Sequence, residues 1–252
     1  MPQIGGKRCH TAQVNPAALS PTLTSLFPPG AVAADLREPG DPALLLPAEA
    51  QYLGRAVPKR VREFAAGRLC ARRALAEFGF AHFPVKVADD RQPLWPDSLA
   101  GSITHTTGLC AAVVALRPGT AALGLDSEVV GDVNAEIWPS ICVPDETAWL
   151  ASLPPSERAA AVTLIFSAKE AFYKCQYPVA RERLNFQDAR VAALAWGGSQ
   201  GAFEIHATRR LAIAAHTAQA LRGRYLFHEG FVTAGMALAG GAKGASPYAE
   251  VQ

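Results

Sequence analysis

Residues 154–178 open on Pro154-Pro155, end on Pro178 and carry SERAAAVTLIFSAKEAFYKCQY between them. Proline is tolerated at the start of a helix, where its missing N–H would be unpaired anyway, and is disfavoured inside one. The stretch therefore reads as one long helix over residues 156–175, with Ser156 as a candidate cap, Glu157 in the first turn and Pro178 closing it. At about 100° per residue, Leu164, Ala168, Phe172 and Cys175 share one face, while Ser167, Glu170 and Lys174 share another. The first is a core face. For the second, the acid is not forced into the core, and Glu170 and Lys174 can simply form an i,i+4 surface pair worth a few tenths of a kcal/mol.

A second helix is signalled over residues 63–78, where Phe64, Ala71, Leu75 and Phe78 recur at helical spacing and Gly79 is placed to end it. The segment ADDRQPLWPDSLAGSITH cannot be a long helix, because Pro93, Pro96 and Gly101 interrupt it. LCAAVVAL, residues 109–116, reads as a buried strand followed by the turn RPGT, and residues 121–130 as a strand in which charges appear midway. ARVAALAW, GAFEIHAT, GRYLFHEG and FVTAGMALA are further strand candidates in the last third. Residues 1–50, rich in Pro, Gly and Ala, read as a loosely structured lead-in in which LFPPGAVAADL supplies an edge strand. Short strands with two well-separated long helices indicate an α+β protein whose halves resemble each other.

Several function classes are disfavoured. No run approaches the roughly 18 apolar residues of a membrane span, and the N-terminus lacks a signal-peptide core, so the expected location is the cytoplasm. Five cysteines, odd in number and without a CxxC pair, argue for reduced, buried thiols rather than disulfides or a zinc site. A net charge of +2 makes no case for nucleic acid. Locally, however, Lys59, Arg60, Arg62, Arg68, Arg72 and Arg73 surround the single acid Glu63, forming either a solvated helix face or a patch for phosphate.

GLDSE, residues 124–128, sharpens the question. In a strand, Asp126 and Glu128 point to the same side, and two carboxylates there repel unless a cation sits between them or the pair lies at a solvent-facing strand end. Mg²⁺ suits such a pair, because it takes hard oxygen ligands and often joins one or two carboxylates to substrate phosphates.

RVREFAAGRLCARRAL, RQPLWPDSLAGSITH, GLDSE and FSAKEAFYK occur here in one order. In that order and spacing the chain resembles the 4′-phosphopantetheinyl transferases of the large monomeric class, which includes the enterobactin and surfactin synthetase activators. The resemblance runs from Lys59 to Tyr177, with the tail ending in FVTAGMALA. It implies a monomeric pseudo-dimer of two α+β subdomains, each a small antiparallel sheet with a long helix, divided at residues 1–118 and 119–252, with the active site in the cleft between them. The implied reaction moves the phosphopantetheine arm of coenzyme A onto a serine of an acyl- or peptidyl-carrier protein.

On this resemblance Asp126, Glu128 and Glu170 match the ligands of Mg²⁺ or Mn²⁺, Glu170 is also the candidate general base, and Lys169 and Lys174 serve the pyrophosphate. His105, Arg60 and Arg68 match contacts to the 3′-phosphate and adenine end, with Ser102 or Thr104 adding hydroxyl donors, and Arg91 stands near the pyrophosphate. Arg72 and Arg73 equally fit solubility. Ile137, Trp138, Ile141 and Trp149 form either an apolar surface for the carrier or core, with Lys59 and Arg62 placed to attract an acidic carrier helix. A silent coenzyme A- or carrier-binding protein has less reason to keep all three acids, and a Mg²⁺-dependent phosphohydrolase does not account for GSITH beside the basic helix.

Overall fold

A computed structural model describes residues 15–117, 119–218 and 220–240; Cys9, with the rest of residues 1–14, lies outside them. The first half contains β1 (Ala18–Leu19), α1 (Pro21–Thr24), β2 (Val32–Leu36), α2 (Pro47–Ala50), α3 (Pro58–Ala76), β3 (Leu99–Thr106) and β4 (Leu109–Leu116). Its four strands form an antiparallel sheet in the order β1-β2-β4-β3. The second half contains β5 (Thr120–Val129), α4 (Trp138–Ile141), α5 (Pro144–Ser152), α6 (Pro155–Ala180), β6 (Ala189–Ala193), β7 (Gln200–Ala207), β8 (Leu221–His228) and β9 (Phe231–Ala239). Here the antiparallel order is β5-β9-β8-β7-β6. The fold is α+β, with one long helix against each sheet, as the two helical periodicities and the strand runs imply.

β4 shows why LCAAVVAL carries no polar alternation. Its Cys110, Ala112 and Val114 pack with Leu69, Ala71 and Leu75 of α3. On its other face Ala111, Val113 and Ala115 meet Leu123 and Leu125 of β5, with Leu23, Leu26 and Phe27 of the α1 region. A strand covered on both faces needs a continuous apolar run. Behind the second sheet, Leu164, Ala168, Phe172 and Cys175 of α6 are all buried, the face its periodicity indicated. Each large apolar side chain there stabilises the fold by roughly 1.5–3 kcal/mol.

Four boundaries differ from the sequence expectations. The lead-in is structured from residue 15, and β2 is an interior strand, held between β1 and β4. α3 starts at Pro58, ahead of the apolar spacing, because its charged first turn faces solvent and carries no periodic signal. Ser156 does not cap α6; Pro154 precedes the helix and its carbonyl accepts the Glu157 N–H at 2.9 Å. Pro178 lies inside α6, which ends at Ala180 and is capped by Arg181 in the left-handed region (φ 54°). A proline in the last turn removes a single backbone bond, and Val179 and Ala180 packing on the core outweighs it. Among the described residues, no helix is long and apolar enough to cross a membrane, and the four cysteines are free and buried.

Candidate active site

The site begins where α6 rests on β5. Gly124 permits the contact, since a Cβ there would lie 1.9 Å from the Ala171 carbonyl oxygen. The helix face bearing Ser167, Glu170 and Lys174 consequently meets the strand bearing Asp126 and Glu128. Ser167 Oγ donates to the Asp126 carbonyl at 3.0 Å. Lys174 Nζ donates to the Leu125 carbonyl at 3.2 Å and to Asp126 Oδ1 at 2.7 Å. Lys174 therefore pairs across the interface with Asp126, and the i,i+4 surface pair with Glu170 is not among the ion pairs of the described residues.

The other edge of β5 faces β3, the edge strand of the first sheet. These edges are joined by hydroxyls in place of a backbone ladder: Leu125 N–H donates to Ser102 Oγ at 3.1 Å, and Ser127 N–H to Thr104 Oγ1 at 3.0 Å. Thr104 Oγ1 also donates to Asp126 Oδ1 at 3.3 Å, and Thr106 Oγ1 reaches Glu128 Oε2 at 3.5 Å. Ser127, pointing the other way, bonds Thr233 of β9 at 2.8 Å.

The carboxylates are electrostatically crowded. Asp126 is buried, and its Oδ2 has no hydrogen-bond partner among the described residues. Burial first, then repulsion from Asp126 and Glu170 against the pull of Lys174, pushes Glu128 up to about 8. Burial also raises Glu170, with Lys174 opposing and Asp126 adding to the rise. A buried oxygen without a donor and acids held above their usual range are what a cation would relieve. Among the described residues, no three His, Cys, Asp or Glu side chains are drawn together tightly enough to grip an ion unaided.

Beyond the seam lies a cationic end. Arg60 donates to His105 Nε2 at 2.5 Å, which places any proton of the neutral imidazole on Nδ1. Desolvation and then the Arg60 charge hold His105 below the ordinary histidine range. Arg68 is mostly buried, its guanidinium 3.8 Å above the Phe64 ring and its Nε donating to the Val85 carbonyl at 3.1 Å. Burial lowers its pKa to about 10, with Glu49 opposing and Arg60 lowering it further. Arg91 sits at a left-handed position (φ 72°) in an exposed turn whose Asp90 bonds Arg181 at 2.7 Å, beside the end of α6. An open cleft next to Glu170 is lined by Phe172, Tyr173, Leu184, Phe186 and Ala189.

Several expected site residues are placed elsewhere. Ser102 and Thr104 are buried in the seam, with their hydroxyls turned to β5 instead of toward a phosphate. Lys169 is one helical step from Glu170 and lines the same cleft, but its ammonium is buried. Its three ammonium protons go to Glu146 Oε2 and the Ile141 carbonyl, both at 2.7 Å, and the Phe186 carbonyl at 2.8 Å, so it has none left for a pyrophosphate. Arg72 is not a solubility residue either: it is buried against Glu49 and the Leu44 carbonyl, whereas Arg73 pairs with Glu77 at the surface. Ile141 is core, Trp138 and Trp149 pack against it, and Ile137 alone of the four is exposed, at 45%.

Glu146 was missed in the sequence. Its signal is Val-Pro-Asp-Glu at a helix start, where an acid at the third position reaches back to the preceding N–H; here Oε2 accepts Val143 N–H at 2.8 Å.

Residues 48–115 match the 4′-phosphopantetheinyl transferase N-terminal domain, and residues 122–227 the 4′-phosphopantetheinyl transferase superfamily. The chain is 36% identical over 221 residues to 4′-phosphopantetheinyl transferase Svp of Streptomyces mobaraensis, covering 84% of this chain and 86% of that one. It is 29% identical over 223 residues to 4′-phosphopantetheinyl transferase Npt of Nocardia iowensis, 86% of this chain and all of the other. Enterobactin synthase component D of Salmonella typhimurium is 43% identical over 119 residues, 46% of this chain and 48% of its own length. With both halves matched in order and most of a curated relative spanned, the chain belongs to the 4′-phosphopantetheinyl transferase family.

Proposed function

We propose that this chain transfers 4′-phosphopantetheine from coenzyme A to a serine hydroxyl of an apo acyl- or peptidyl-carrier protein, as a holo-[acyl-carrier-protein] synthase does, and releases adenosine 3′,5′-bisphosphate. The observation that carries the proposal is the seam itself: buried Asp126 with one orphaned oxygen beside half-buried Glu128 on β5 and half-buried Glu170 on α6, and the Arg60–His105 pair on the β3 side.

Asp126, Glu128 and Glu170 would hold Mg²⁺ or Mn²⁺. Bound there, a divalent cation supplies charge neutralisation at the pyrophosphate oxygens. Lys174 adds a positive charge beside the leaving phosphate, and Arg60 with His105 receives the 3′-phosphate, backed by the charge of Arg68. Arg91, on its exposed turn, is assigned to the pyrophosphate side. The cleft between Tyr173 and Phe186 offers the apolar wall along which the pantetheine arm lies. Glu170, made more basic by burial, accepts the serine proton directly or through a water as the new O–P bond forms. The chain works as a cytoplasmic monomer, with residues 1–118 binding the nucleotide end and residues 119–252 carrying the acids.

The test incubates the protein with coenzyme A, Mg²⁺ and a panel of apo carriers, and follows each carrier by intact mass beside a Glu170→Ala variant. One phosphopantetheine added by the wild type and none by the variant supports the proposal. No addition to any carrier, with coenzyme A still bound, leaves a silent binding protein.

A further inference from the structure

The two oxygens of Asp126 are in different situations. Oδ1 takes the Lys174 ammonium at 2.7 Å and the Thr104 hydroxyl at 3.3 Å, while Oδ2 has no partner among the described residues. Thr104 is itself fixed: it is 2% exposed, β-branched, and its Oγ1 accepts the Ser127 N–H at 3.0 Å. The single hydroxyl proton is thereby left for Asp126. The backbone of Thr104 is held as well, its carbonyl taking the Cys110 thiol at 3.2 Å.

We infer that Thr104 is a positioning residue, whose hydroxyl sets the rotation of the Asp126 carboxylate so that Oδ2 keeps its lone pairs free for the divalent cation. The inference rests on the assignment of Asp126 as a cation ligand. Lys174 fixes the rotation less firmly, since its side chain is 28% exposed and its ammonium, otherwise held only by the Leu125 carbonyl at 3.2 Å, sits on a flexible stem. The Thr104 hydroxyl comes from a buried strand of the other sheet and has no such freedom. Groups that orient a metal-binding side chain in this way change metal affinity by about 10- to 100-fold when removed. Ser102 supplies a built-in control, because it makes the neighbouring seam bond to Leu125 N–H and touches no carboxylate.

Mn²⁺ binding is measured by electron paramagnetic resonance on the full chain with coenzyme A present, for the wild type, Thr104→Val, Thr104→Ser, Ser102→Ala and Asp126→Asn. Thr104→Val is expected to weaken Mn²⁺ by about tenfold or more, with coenzyme A affinity in the absence of metal unchanged; Thr104→Ser restores binding and Ser102→Ala retains it. Wild-type affinity in Thr104→Val, or an equal loss in Ser102→Ala, overturns the inference. Unchanged binding in Asp126→Asn removes instead the ligand assignment beneath it. Should the melting curve show Thr104→Val unfolded, Thr104→Ala, which also lacks the donor and adds no bulk, is titrated in its place, and wild-type affinity there overturns the inference equally.

Discussion

Lys169 gives the sharpest quantitative prediction, because its placement separates a structural role from a chemical one. The ammonium and the Glu146 carboxylate are 3% and 1% exposed, and Glu146 also accepts the backbone N–H groups of Val143 and Val191. The pair thus ties α6 to α5, to β6 and, through the Phe186 carbonyl, to the segment before β6. Lys169→Met keeps the length of the stem and removes the charge, leaving a buried carboxylate without its cation. Breaking such a pair costs about 3–5 kcal/mol, against a total stability on the order of 5–15 kcal/mol for a domain. For a chain of this size that corresponds to a melting temperature lower by on the order of 10 °C.

Urea denaturation monitored by tryptophan fluorescence measures the loss. Adding Glu146→Gln to Lys169→Met, which removes the stranded charge, should recover a coupling energy of about 2 kcal/mol. Phosphopantetheine transfer, assayed well below the melting temperature, should fall by no more than roughly tenfold, since the Lys169 ammonium has no proton left for substrate and meets the cleft only through the Phe186 carbonyl. A variant within about 1 kcal/mol of the wild type but with transfer lowered by more than about a hundredfold would refute the reasoning and return Lys169 to the pyrophosphate.

Three further outcomes follow from the same geometry. Arg60→Ala should raise KM for coenzyme A by about tenfold, the worth of one charge-assisted contact, and the difference should vanish with 3′-dephospho-coenzyme A; equal losses on both substrates would place Arg60 elsewhere. Glu128, pushed up to about 8 from 4.5, binds a proton in the folded chain that the unfolded chain has released, so stability of the metal-free protein falls as pH rises between those values. Added Mg²⁺ should then raise the melting temperature more near about pH 9 than near about pH 6, and equal gains would contradict the assignment. Gly124→Ala drives a methyl into the Ala171 carbonyl and should cost about 3 kcal/mol or more, with a normal melting curve counting against so close a contact.

The site was legible in the sequence as far as periodicity reaches. Alternation put Asp126 and Glu128 on one side of β5, and helical geometry put Glu170 with Lys174 on one face of α6; both faces are the ones that meet. What periodicity does not carry is the identity of the partner. Lys169 lies one residue from Glu170, and its role depends on Glu146, which only the folding of α5 onto α6 brings within reach. For Ser102 and Thr104, alternation gives a shared side, but which side meets β5 is settled by how the two sheets abut. Pro178 was misplaced for a related reason, since a local breaker signal was set against core packing that involves residues distant in the chain.

Each sheet is closed by its own backbone ladders, whereas the line between β3 and β5 is stitched by the hydroxyls of Ser102 and Thr104. Side-chain bonds part without dismantling either ladder, so a local opening along this line breaks no backbone bond within either sheet, although the apolar cluster of Ala111, Val113, Leu123 and Leu125 still holds the halves together. In hydrogen exchange, the Leu125 and Ser127 amides should accordingly lose protection together, ahead of the amides that pair β5 with β9. A ligand spanning both sides of the line would slow the exchange of those two amides most.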